Sequence, residues 1–238
     1  MSFRAEPAKK KANYYTIKEG TFRLPSTKED PEAVARPYTN PKTKEDGIAY
    51  ERSFKALFGT ITDISFPTST LKDGTVLRNI HIALGEDENG IAQVISIPVD
   101  ERYTSDFLKR LPKIDLTQEV RLSPYDFDPA EGPHQRGLSV MLRGEGEDFS
   151  VKIDNNFFTK VEEKEGKKVY TNLYGFPEAT EEDAQDWPFY FKKVNKFLVK
   201  YTTENVLTKF SAAPAPKIPH SKEEEDAMND ITPEDIPF

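Results

Sequence analysis

The chain has 238 residues, of which 36 % are apolar and 31 % charged, with 16 Phe, 10 Tyr, 18 Pro and no Cys. Such a composition supports one sizeable core flanked by solvated, irregular segments, and it excludes a disulfide framework, a zinc–thiolate site and a thiol nucleophile. No apolar run approaches the roughly 20 residues that span a bilayer, and the N-terminus lacks a signal-peptide h-region, so the expectation is a soluble cytoplasmic protein with no membrane contact.

Residues 1–47 read as an irregular N-terminal arm. Lys9, Lys10 and Lys11 sit in a polar, disordered start, and Pro25, Pro31, Pro37 and Pro41 punctuate the rest of the arm. Phe22, Leu24 and Tyr38 are its groups for docking on the body or on a neighbouring subunit.

Residues 48–210 form the body. Phe54–Ile64 is rich in β-branched and aromatic residues, with Gly59 marking a bulge or sharp bend. Lys72-Asp73-Gly74 and Asp87-Glu88-Asn89-Gly90 are turn signals around a strand over 76–84. In that strand Val76, Ile80, Ile82 and Leu84 share one face, with Asn79 and His81 on the other. Ile91–Val99 reads as a strand buried on both faces. Asp100–Leu111 is a helix, with Phe107, Leu108 and Leu111 at helical spacing and Pro112 as its stop. Strands follow over 118–125 and 137–143, then over 149–153 and 168–174, with Glu162–Lys168 as a charged hairpin tip. Residues 178–210 are helical, with an apolar stripe of Tyr190, Val194, Phe197, Leu198 and Tyr201. Lys192, Lys193, Lys196 and Lys200 lie off the stripe, which packs on the body or, alternatively, leaves a basic face for a nucleic-acid backbone. Three strands, a helix and two more strands is the order of an OB-fold. The fold class is therefore mainly β, an OB-fold-like barrel with extra strands, one inserted helix and a C-terminal helix.

Residues 211–238 form a linker and tail. The Pro-rich stretch AAPAPKIP is stiff and extended. Beyond it Glu223, Glu224, Glu225, Asp226, Asp230, Glu234 and Asp235 face one base, Lys222, so the tail carries six of the eight net negative charges. It ends Asp235-Ile236-Pro237-Phe238, which resembles the C-terminal tip of bacterial-type single-stranded-DNA-binding proteins. Phe238 puts an aromatic ring and a main-chain carboxylate on one residue, and Glu234 and Asp235 supply steering charge. A partner needs only an apolar pocket beside a basic side chain. The resemblance implies binding of single-stranded DNA in replication, recombination or repair, in a bacterial or phage-infected cell, with partner proteins recruited through Glu234–Phe238. A homo-oligomer is compatible with it. The body departs from the usual short bacterial form, and a divergent, phage-encoded version fits better.

Single-strand binding requires cations for phosphates and aromatic faces for bases. The outward positions of the predicted strands supply both: Arg121, Arg143, Lys152 and Lys168 as cations, with Tyr125, Tyr170 and Tyr174 as platforms. Lys55, Phe58 and Arg78 are secondary candidates. Phe157, Phe158 and Trp187 read as core. No HExxH, Walker A or GxSxG motif occurs. His81, His134 and His220 are scattered, and Asp126, Asp128 and Glu131 are the nearest approach to a metal cluster. The chain is expected not to be an enzyme and to need no cofactor or metal. The competing readings are an adaptor of the replication machinery that binds no DNA and, further off, a metal-dependent nuclease.

Overall fold

The segment expected as an irregular arm opens the largest sheet instead. The computed structural model describes residues 11–39, 46–70, 75–144, 148–164 and 167–210. Within it β1 (Ala12–Lys18) and β2 (Thr21–Ser26) form an antiparallel hairpin. Its turn is Glu19-Gly20, with φ of 49° and 67°. Two successive positive φ values are those of the type I′ turn, whose twist matches the flanking strands. Gly20 is required a second way, because a Cβ there would lie 2.7 Å from the amide nitrogen of Asp126. β3 (Val34–Thr39) and β4 (Asp46–Phe54) continue the sheet beyond β2. Pro37 lies on the outermost strand and Pro25 beyond the last β1–β2 pair, so each has a side that needs no ladder partner. Phe22 is fully buried in the common core.

On its other side β1 runs parallel to β9 (Ala92–Pro98), with Tyr14 opposite Val94. β9 pairs antiparallel with β8 (Val76–Glu86), which also pairs with β6 (Asp63–Ser65) and β7 (Thr68–Thr70). The sheet order is β3-β4-β2-β1-β9-β8-β6, with β7 also on β8. Val94, Ile95, Ser96 and Ile97 are all buried, as expected for a strand covered on both faces. In β8 the expected alternation fails at two points. Val76 is exposed, and His81, expected on the open face, is buried, with its ring 5.6 Å from that of Tyr14.

A second, four-stranded sheet has the order β12-β11-β10-β5. It comprises β5 (Leu57–Thr60), β10 (Glu119–Phe127), β11 (Gln135–Arg143) and β12 (Phe149–Lys152). The stretch from Phe54 to Ile64 is thus not one strand. It leaves the large sheet at Phe54, joins the small one as β5 and returns to the large one as β6. Gly59 sits at this crossing, where a Cβ would collide with the Leu84 carbonyl oxygen. Among the described residues no ladder joins the two sheets. The architecture is mainly β in separate sheets, with helices over 102–110 and 187–205 as its main helical elements.

Helix α1 (Arg102–Arg110) buries Tyr103, Thr104, Phe107 and Leu108, and Pro112 turns its end into a short 3-10 segment over 111–113. Tyr103 ties three elements together: its hydroxyl accepts from the Gly20 amide at 3.2 Å and donates to Asp126 at 3.1 Å. Beyond β12, β13 (Phe158–Lys164) and β14 (Lys167–Asn172) make a separate hairpin. Helix α2 (Trp187–Asn205) packs Val194 and Leu198 into the core, and Phe197 and Tyr201 lie edge-on to Phe157. It starts later than the expected 178. Asp183 folds back on Thr180, Asp186 caps the amide of Phe189 at 3.1 Å, and Pro188 fixes the first turn. The single-turn α3 (Leu207–Phe210) ends the described chain. Residues 1–10, the Lys72-Asp73-Gly74 turn, the linker and the tail with Glu234, Asp235, Ile236, Pro237 and Phe238 lie outside the described residues. Among the described residues no helix is long and apolar enough to cross a membrane.

Candidate nucleic-acid interface

Alternation along β10 and β11 decides which side chains face out. Val120, Leu122, Leu138 and Val140 point into the core with no exposed surface. Their neighbours necessarily face the other way. The register sets Arg121 between Phe58 on β5 and Met141 on β11, and Met141 beside Lys152 on β12. One row across the sheet therefore reads Phe58, Arg121, Met141, Lys152. The next row reads Thr60, Glu119, Arg143, Phe149.

These rows make an aromatic–cationic surface. The Phe58 and Phe149 rings are 5.2 Å apart, centre to centre, and Phe58 is 52 % exposed. The Arg121 guanidinium lies 5.9 Å from the Phe58 ring centre and that of Arg143 lies 4.7 Å from the Phe149 centre. Both are within cation–π range. Arg143 also donates from Nε to Glu119 at 3.0 Å. The Nε of Arg121 and the Oγ of Ser123, two residues along the same face, are buried with no hydrogen-bond partner among the described residues.

Four expected residues, Phe58, Arg121, Arg143 and Lys152, come together here, and Lys55 is exposed just before β5. Tyr125 is on the same face but is half-buried, its ring crossing Gly137 and its hydroxyl 3.3 Å from Asp106 of α1. The others do not converge. Arg78 is exposed on β8, in the other sheet. Lys168 and Tyr170 belong to β14, opposite Glu163 and Lys160 in the separate hairpin. Tyr174 follows that hairpin with φ of 56°, 61 % exposed, its ring 5.9 Å from Tyr201 of α2. Trp187 is not core: it is 47 % exposed. Phe157 is core, with no exposed surface.

Phe149 went unrecognised because β12 carries a bulge. The register shifts at Leu142/Arg143, leaving Ser150 as the extra residue and placing Phe149 on the face of Lys152. Plain alternation puts those two on opposite faces. Phe127, 52 % exposed and 6.2 Å from the Tyr125 ring, is a second platform that alternation from Arg121 and Tyr125 would have found.

No family model, curated protein or solved structure matches the chain. The chemistry of the face itself therefore carries the functional reading.

At the loop end of β10, Asp126 and Asp128 clasp His134. Its Nε2 is 2.6 Å from Asp126 and its Nδ1 2.8 Å from Asp128. The hydrogen bond to Asp128, then that to Asp126, raises the imidazole pKa above its ordinary value of 6.5. Arg136 lies 3.4 Å from Asp126 and 4.7 Å from the Tyr103 ring centre. The two carboxylates are thus engaged with basic side chains, and among the described residues no group of three or more His, Asp or Glu is placed to hold a metal ion.

Proposed function

We propose that this protein binds single-stranded DNA on the outward face of the four-stranded sheet, within an OB-like arrangement of its strands, and protects exposed strands in replication, recombination or repair. One observation carries the reading: the Phe58–Phe149 ring pair flanked by Arg121 and Arg143 on a single sheet face. Aromatic faces stack bases of any identity, at about 1–3 kcal/mol per base, and guanidinium groups hold phosphates bidentately. Lys152 extends the cationic row at the sheet edge. Residues Glu234–Phe238 recruit partner proteins, as their likeness to the bacterial tip implies. The acidic tail competes with DNA for the same cations at low salt.

Fluorescence anisotropy of labelled oligo-dT, with duplex of equal length as control, tests this at two salt concentrations. The expected result is single-strand binding that falls log-linearly with salt, with a slope of about 0.7 per phosphate contacted. Phe58→Ala and Arg121→Ala each weaken it. Truncation after Pro219 tightens it. Absence of binding by both the full chain and the truncated form would overturn the proposal and favour the replication adaptor.

A further inference from the structure

Helix α2 begins with WPFYFKK, and most of that segment remains uncovered. Trp187, Phe189 and Phe191 are 47 %, 53 % and 50 % exposed. The Trp187 and Phe191 rings stack at 6.1 Å, and Lys193 Nζ lies 4.9 Å from the Phe189 ring centre while also bonding Asp183 at 2.7 Å. Lys192 and Lys196, one helical turn apart, are exposed and carry no ion pair among the described residues. At 3.6 residues per turn, Phe189, Lys192 and Lys196 share one side of the helix, and the stacked pair Trp187 and Phe191 the other.

We propose that the first two turns of α2 are a second contact for single-stranded nucleic acid, with a base stacking on Phe189 and phosphates on Lys192 and Lys196. This rests on the reading of the β-sheet face given above. A contact with a second copy through the same patch would set these lysines near their own counterparts. An exposed ring beside unpaired lysines is the combination that non-specific strand binding uses. Lys192 and Lys196 sit about 6 Å apart along the axis, a spacing a flexible strand follows easily. Glu181 and Glu182, exposed ahead of the helix, repel phosphates and mark where the strand turns away.

Trp187 is the single Trp of the chain and begins this helix, so its emission reports a strand that wraps the first two turns. The full-length protein is titrated with unlabelled oligo-dT while emission is read, in parallel with anisotropy of a labelled strand. The expected result is quenching that tracks the anisotropy and is reversed by salt. Phe189→Ala weakens binding roughly tenfold. Lys192→Ala with Lys196→Ala lowers the salt slope by about 1.4. Normal anisotropy with unchanged Trp187 emission and an unchanged slope in the lysine variant would overturn this second contact and leave the sheet face standing. A lack of anisotropy change would overturn both. Emission that ignores DNA but shifts with protein concentration, or on deletion of residues 211–238, would assign the patch to a second copy or to the chain's own tail and would also overturn it.

Discussion

The rings of Phe58 and Phe149 meet at 5.2 Å although they come from β5 and β12, the two edges of the four-stranded sheet. In a flat sheet those edges stand about 14 Å apart. The rings lean inward over the central strands, where Arg121 and Met141 face each other in register. A π surface is thereby assembled across the sheet rather than along one strand, with a guanidinium beside each ring.

Glu119 is the internal competitor of that surface. It holds Arg143 at 3.0 Å, and under the proposed function it competes with a phosphate for that guanidinium. Glu119→Gln is expected to tighten single-strand binding and to steepen the salt dependence by about 0.7, one further phosphate contact. Anisotropy titrations of the two proteins over a salt series check this.

Phe22 separates a docked strand from a dispensable arm. It is fully buried against the core. Phe22→Ala is expected to cost about 3–5 kcal/mol, the range for emptying a buried aromatic site. Urea denaturation of the variant and the parent measures it, and a change below about 1 kcal/mol would return the segment to the status of an arm.

Asp30 links the loop between β2 and β3 to β4. It accepts from Arg52 Nη2 at 2.8 Å and from the Glu32 amide at 3.0 Å, with Ser26 as a further donor. The Arg52 hydrogen bonds, then that of Ser26, hold its carboxyl well below the usual carboxylate range. A depressed folded-state pKa gives stability that is fully present above the unfolded value, near 3.9, and is lost as pH falls through the folded one. Asp30→Asn is expected to lower the melting midpoint by a few degrees at about pH 6. The difference from the parent should shrink on acidification below about pH 4.

His134 has the opposite sign. Its raised pKa gives a contribution present below the unfolded value of about 6.5 and lost as pH rises through the folded one. NMR titration of the imidazole is expected to show a midpoint above 6.5 that drops on Asp128→Asn, because Asp128 is the main cause of the shift.

Where period and burial agree, the sequence is readable: the buried run around Ile95, the helix carrying Phe107 and Leu108, and the inward set Val120, Leu122, Leu138 and Val140 follow from alternation or helical spacing. What local pattern does not encode is where the chain changes its partner. The four prolines before Gly47 signal irregularity, yet the strands there are stabilised by pairing with each other and by Phe22 in a distant core. The bulge at Ser150 reverses the parity of β12 and hid Phe149. Gly59 signals a bend, but the close approach of the Leu84 carbonyl that leaves no room for a Cβ there comes from β8, which no local pattern reveals. Of the candidate site, Arg121, Arg143, Lys152 and Phe58 share one sheet face because local alternation places each of them outward, the bulge affecting only the residues before Val151 on β12. The separation of Lys168, Tyr170 and Tyr174 was not, since strand alternation does not say to which sheet a hairpin belongs.

The parallel pairing of β1 with β9 sets an order of events during synthesis. Tyr14 must wait for Val94, eighty residues later, before its ladder closes. At translation rates of about 5–20 residues per second, that is roughly 4–16 s after Tyr14 is polymerised. Until then the β1 edge that β9 will cover lies open, and β2, β3 and β4 are made before it is sealed. An N-terminal hairpin held in waiting for that long is the part of the nascent chain most in need of shielding from other strands.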